Sequence, residues 1–324
     1  MQTHLSQTID ITTSEENYSA KYDASIKEML ADKQVLARIL KYTLDEFKDF
    51  SFEKIIQCID EPIVSAMRIE PGHTNTDKVK KTSEEDNVLG EGKIYYDIRF
   101  NAYSGDEQIK ILINVEAQKS TKASKLGYHL DNRIIYYLAR MISAQKEVEF
   151  EHSNYDDLKP VKSIWICMDT ANDEDSINRI NLTQETLFGK DMHLPNINKV
   201  QGVVIRLRKN KDVETSKNLL IAMLEELLRK DKADSKKRKL SEQYGMIMDI
   251  DTERRVNTMC NLSEALIEET REETIVEARE QGIKFVITDN ISEGKSREQI
   301  VQKLMRGFDI DKETSEMYYD KFKG

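Results

Sequence analysis

Cysteine is scarce in this chain: Cys58, Cys167 and Cys260 are the only three in 324 residues, far apart and odd in number. That excludes a disulfide framework and a paired-cysteine zinc site, and it marks the three as buried apolar side chains. Histidine is nearly as sparse. His4, His73, His129, His152 and His193 form no HExxH or other close pair, which argues against a histidine-held zinc enzyme and points any metal to carboxylates. Long apolar runs are missing too: the longest, Ile134 to Ala139 and Leu219 to Leu224, fall far short of the roughly 20 residues that cross a bilayer. The opening MQTHLSQTIDITTSEENYSA has neither a basic start nor an apolar centre. It predicts a flexible polar tail over residues 1–20 of a cytoplasmic protein with no membrane partner. With only 4 Pro and 12 Gly against 39% hydrophobic and 33% charged residues, what remains is material for packed, largely helical domains.

The formal charge of −10 would by itself argue against a polyanionic partner, but it is unevenly placed. Residues 242–280 carry 11 acidic and 4 basic side chains, so most of the excess sits there and the rest of the chain is near balance. Lys119, Lys122 and Lys125 stand in a stretch without acids, and Arg206, Arg208, Lys209 and Lys211 cluster further on. Each group reads either as ordinary solvated surface or as a face for a polyanion.

Apolar spacing predicts an amphipathic helix over Tyr22 to Leu40 and a short one near Glu53 to Ile59. Ile63 to Ile69 reads as a strand closed by Pro71-Gly72, and residues 73–92 as a polar loop containing Lys80, Lys81, Glu84, Glu85 and Asp86. KIYYDIRFNAY and QIKILINVEAQK flank Ser104-Gly105-Asp106-Glu107 as the arms of a β-hairpin. A helix follows over Thr121 to Gln145, then a central strand apolar on both faces, Val161 to Asp169, and a further strand, Val200 to Leu207. Trp165, in the middle of the first of these strands, reads as core. From Ser216 onward the pattern is helical. The order helix, three strands, helix, strand predicts an α/β fold with a mixed sheet, spanning 21–212, and a helical C-terminal region, 213–324, with an acidic lobe and a terminal helical hairpin suited to homodimerisation.

Strand alternation puts Asn114, Glu116 and Gln118 on one face and Ile111, Ile113, Val115 and Ala117 on the other, with Asp97 on the polar side of the preceding strand. A tight turn pairs Asp97 with Asn114 and sets Asp97 diagonal to Glu116, roughly 7 Å away. Two carboxylates at that spacing can grip one divalent cation.

Asp97 on the second strand with Glu116-Ala117-Gln118-Lys119 on the third, in this order of elements, resembles the PD-(D/E)XK nucleases with their restriction-endonuclease-like core. The EAQK stretch, the helix bearing Arg133 and Tyr137, and the opening YDASIKEMLADKQVLARILKY look more narrowly like the Rpn-type recombination-promoting nucleases, the PD-(D/E)XK family transposases. The resemblance implies a Mg²⁺-dependent DNA endonuclease, Mn²⁺ being an alternative ion, associated with recombination or mobile elements. Asp97, Glu116 and the backbone carbonyl of Ala117 would hold the metal, and Asp97, Glu116 and Gln118 would be catalytic. Gln118 stands where the wider superfamily usually has Lys, and alternation points Lys119 to the opposite face. Asp23 on the first helix, Arg133 and Tyr137 are candidate auxiliaries, and Lys119, Lys122 and Lys125 candidate DNA contacts. The alternative is a catalytically inactive nuclease-derived module that binds nucleic acid or a protein.

Overall fold

A computed structural model describes residues 19–64, 85–88, 92–95, 97–104, 109–119, 121–168, 174–208 and 215–323. Most of the expected polar tail, the Pro71-Gly72 turn, the hairpin tip at Gly105 and the basic pair Lys209 and Lys211 lie outside the described residues. The strands are β1 (Ile63–Val64), β2 (Glu85–Val88), β3 (Gly92–Tyr95), β4 (Ile98–Ser104), β5 (Ile109–Gln118), β6 (Val161–Cys167), β7 (Ser176–Asn181) and β8 (Val200–Arg206). The helices are α1 (19–30), α2 (Lys33–Thr43), α3 (Phe52–Cys58), α4 (Ala123–Leu126), α5 (Leu130–Ser143), α6 (Leu219–Leu228), α7 (Ala233–Tyr244), α8 (Ile250–Ser292), α9 (Arg297–Phe308) and α10 (Lys312–Phe322). Among the described residues no helix is long and apolar enough to cross a membrane.

The chain divides into two compact units, Ser19–Leu262 and the segment from Ser263 onward. In the first, six strands form a mixed sheet in the order β1-β4-β5-β6-β8-β7, while β2 and β3 pair separately. β5, β6 and β8 run parallel, and β1, β4 and β7 are antiparallel to their neighbours. A parallel β5–β6 pair needs a crossover, which α4 and α5 supply. Alternation then decides the layers. Ile111, Ile113, Val115, Ile164, Ile166, Val203 and Ile205 join Met29, Leu30, Leu36, Ile39 and Leu40 in one buried cluster. Leu112, Val161, Trp165, Cys167 and Val204 join Ile134, Tyr137, Leu138 and Met141 of α5 in another. Every residue of β6 is buried, as a central strand requires, and all three cysteines are buried. Burying an aliphatic side chain of this size contributes roughly 1.5–3 kcal/mol, and the two clusters fix the sheet between helical layers. Gly202 lets α5 lie close: a Cβ there would stand 3.3 Å from Ile134 Cγ2.

Several elements depart from the sequence reading, each for a local reason. The helix expected over Tyr22 to Leu40 is two, because the Asp32 carboxylate accepts the Gln34 N–H at 2.9 Å and starts α2 afresh. The helix expected over Thr121 to Gln145 is broken by Gly127, in the left-handed region at φ 78°. KIYYDIRFNAY is not one strand: it divides into β3 and β4, with Asp97 in a bend just before β4. Glu85 and Asp86, placed in a loop by composition, belong to β2, paired with β3. β7, an edge strand of mixed polarity, had no sequence signal. The hairpin register is two residues from the expected one: Arg99, not Asp97, faces Asn114, because Ser104 pairs with Ile109 across the connection 105–108. A two-residue shift preserves every face.

The units do not divide near 212. α6, α7 and the start of α8 contribute Leu220, Leu224, Leu227, Leu240, Val256, Met259 and Cys260 to the same core as the sheet. Asp32 ties α2 to α8 through Thr252 Oγ1 and Arg255 Nη1, both at 2.9 Å. In the second unit, the later part of α8 packs with α9 and α10 around Ile283, Ile287, Ile300 and Leu304. A Ser296–Gln299 capping box opens α9, and Asp311 caps α10.

Candidate active site

The carboxyl end of β5 carries Glu116, Ala117 and Gln118 to the rim of the parallel part of the sheet, where α/β proteins generally place their ligands. A cleft of about 320 Å³ opens there, lined by Asp23, Ile26, Lys27, Asp97, Glu116, Ala117, Gln118, Lys119, Arg133 and Met168. Seven sequence-predicted residues are thus brought together from α1, the bend before β4, the end of β5 and α5. Tyr137 supports them from behind.

Asp97 and Glu116 are interlocked. The Asp97 backbone N–H donates to Glu116 Oε1 at 3.2 Å, and the Ala117 N–H donates to Asp97 Oδ2 at 3.0 Å. Asn114 Nδ2 gives Glu116 Oε1 a second hydrogen bond at 3.0 Å, while its own Oδ1, fully buried, has no hydrogen-bond partner among the described residues. Glu116 is only 2% exposed. Burial first, and the neighbouring charge of Asp97 second, push its carboxyl up to about 8, against the lowering effect of its hydrogen bonds and of Arg133.

Three cations surround or approach this pair. Lys27 Nζ lies 2.6 Å from Asp97 Oδ1. Lys119 Nζ lies 2.7 Å from Asp23 Oδ2. Lys119 therefore reaches the cleft, contrary to simple alternation: it follows the last residue of β5, where the pleat no longer sets its direction. Arg133 Nη2 stands 3.9 Å from Glu116 Oε2 and donates to Tyr137 Oη at 2.8 Å; Nη1 donates to Tyr128 Oη at 2.6 Å and to Gln118 Oε1 at 3.4 Å. Its guanidinium lies 5.3 Å from the Trp165 ring centroid and 5.0 Å from that of Tyr137. Arg133 thus makes the contacts of a clamp fixed by aromatic groups. Burial and the Glu116 charge raise the Tyr137 phenol above its ordinary range. Trp165 is core, as expected: fully buried, it donates its indole N–H to Ser163 Oγ at 2.8 Å. Lys122 and Lys125 sit on and beside α4, exposed and outside the cleft lining.

Among the described residues no group of three or more His, Cys, Asp and Glu side chains gathers into a metal site. Mg²⁺ does not need one: it is held through one or two carboxylates and keeps several waters. Asp97 and Glu116 with the neutral oxygens of Ala117 and Gln118 form a donor set of that hard, all-oxygen kind. Sequence reasoning missed Lys27 and Tyr128. Lys27 lies four residues after Asp23, so both project from one face of α1, and that spacing was the available signal. Tyr128, in the link after Gly127, had none.

The chain defined by this fold and site is an α/β protein with an acid pair, ringed by cations, at the carboxyl rim of its parallel strands. It matches no protein-family model, no curated protein and no solved structure.

Proposed function

We propose that this protein is a Mg²⁺-dependent DNA endonuclease with a restriction-endonuclease-like PD-(D/E)XK core, similar to the Rpn-type recombination-promoting nucleases. The observation that carries the reading is the interlocked Asp97–Glu116 pair in a cleft bordered by Lys27, Lys119 and Arg133. Asp97, Glu116 and the Ala117 carbonyl would hold the metal, which supplies an activated water and neutralises charge on the phosphate. The chain's own groups do the rest. Arg133, held by Tyr128 and Tyr137, presents a fixed cation to a phosphate oxygen. Gln118, whose oxygen accepts from Arg133, offers its NH₂ as a donor; an amide orients groups but carries no charge and takes no proton near neutral pH. Lys119, with Lys122 and Lys125 beyond it, would contact the DNA backbone.

The test is incubation of the purified protein with supercoiled plasmid and with linear single-stranded DNA, in Mg²⁺, Mn²⁺ or chelator, beside Asp97→Asn, which keeps an acceptor for the Ala117 N–H. Metal-dependent cleavage absent from the variant is expected. Equal behaviour of the two proteins would refute the reading. The Lys27–Asp97 ion pair favours a second one, an inactive module that associates with DNA without metal and weakens steeply with salt.

A further inference from the structure

We propose that Lys27 is the divalent cation's internal competitor: its ammonium occupies Asp97 when the cleft holds no metal and must leave when metal binds. The inference rests on the metal-binding reading of the acid pair and adds a positioning residue to it. Three observations carry it. Lys27 Nζ sits 2.6 Å from Asp97 Oδ1, the one oxygen of that carboxylate not already accepting the Ala117 N–H. A metal taken up between Asp97 and Glu116 needs that oxygen, so ammonium and metal cannot both have it. The lysine also has somewhere to go: its side chain is 27% exposed, it comes from a helix and not from the sheet that fixes Asp97 and Glu116, and it lines the open cleft.

The exchange has a chemical logic. Asp97 and Glu116 share hydrogen bonds across the end of the sheet, and a second negative charge there is opposed unless a cation lies nearby. Lys27 provides one positive charge of the required kind to the metal-free protein. It also holds the Asp97 carboxylate in a fixed place without the octahedral demands of Mg²⁺. Once displaced, the ammonium remains in the cleft, where the next anion to arrive is a phosphate oxygen. Gln118 leaves the third motif position uncharged, and Lys27 restores a lysine to the site from a different element of the fold.

Competition makes a prediction that simple structural damage does not. Removing the ammonium should tighten metal binding, whereas loosening the site should weaken it. Mn²⁺ binding to the full chain, followed by the loss of the free-ion paramagnetic signal, is to be compared for the parent protein, Lys27→Gln, Lys27→Arg and Asp97→Asn. A partly exposed ion pair such as this one is worth about 1 kcal/mol, or roughly fivefold, so Lys27→Gln should bind Mn²⁺ about fivefold tighter or better. Lys27→Arg, which keeps the charge, should stay within about twofold of the parent. Asp97→Asn should lose the site. Tight binding by Lys27→Gln where the parent binds weakly, or not at all, supports the proposal. Equal or weaker binding by Lys27→Gln, with parent binding intact and abolished in Asp97→Asn, overturns the competitor role and leaves the metal reading standing. Absence of binding in the parent and in both Lys27 variants overturns the metal reading and the proposal with it.

Discussion

Replacing Glu116 by Gln should make the protein more stable above neutral pH. The carboxyl is almost wholly buried, and burial with the nearby Asp97 charge lifts it from an ordinary 4.5 to about 8. The native state therefore keeps a proton that the unfolded chain has released. Stability from this group is full below about 4.5, falls as pH rises towards 8 and is flat above that. Each pH unit inside the window costs about 1.4 kcal/mol, so between pH 5.5 and 8 the parent should lose about 3 kcal/mol at this residue. Glutamine keeps an oxygen for the Asp97 and Asn114 N–H groups and has no proton to lose. At about 2–4 °C per kcal/mol for a unit of this size, the variant should melt roughly 6–12 °C above the parent at pH 8 and close to it at pH 5. The assay is thermal unfolding in chelator from pH 5 to 9. A variant that follows the parent's pH slope, or melts below it at pH 8, would show that burial and Asp97 do not hold the proton on Glu116.

Other consequences are open to simpler tests. Gly202→Val places a branched side chain where Cβ alone meets Ile134 Cγ2 at 3.3 Å, and denaturant unfolding should show a loss of about 1–3 kcal/mol. Ala in place of Gly245, whose φ of 62° ends α7, should cost about 1 kcal/mol in the same assay. Ser296→Ala removes the capping box of α9; about 1 kcal/mol of local stability should go, read as faster amide exchange in α9 and unchanged exchange in β5 and β6. Tyr137→Phe deletes the 2.8 Å hydrogen bond to Arg133 while sparing the ring contact, and should weaken association with a DNA oligonucleotide in chelator by several-fold.

The faces of the sheet were legible because period-two alternation survives any even error. The Asp97 register was displaced by two residues, and Asp97 and Glu116 still met on one side of the sheet. β6 was legible because a strand packed on both faces has to be apolar throughout. Elements built on local polar chemistry were not: Asp32 divides α1 from α2 with one side-chain hydrogen bond, and β7 is an edge strand of mixed polarity without a clean alternation to mark it. The site followed the same rule. Asp23, Gln118 and Arg133 came from motif positions, whereas Lys27 entered through the packing of α1 against the sheet. The reach of α6 and α7 into the first unit was hidden for the opposite reason, since a helical apolar stripe is equally suited to a separate bundle.

Trp165 has a consequence of its own. It is the chain's sole tryptophan, it is sealed from water, and its ring lies 5.3 Å from the Arg133 guanidinium and 5.3 Å from the Tyr137 ring. Indole emission from this protein therefore comes from a single place, the wall behind the clamp. On the proposed reading, a phosphate that draws Arg133 off the ring should change the intensity of that emission without any label, and the same signal should shift to the red when the sheet comes apart. Occupancy of the cleft and integrity of the fold can thus be followed in one cuvette, separated by the direction in which one fluorophore responds.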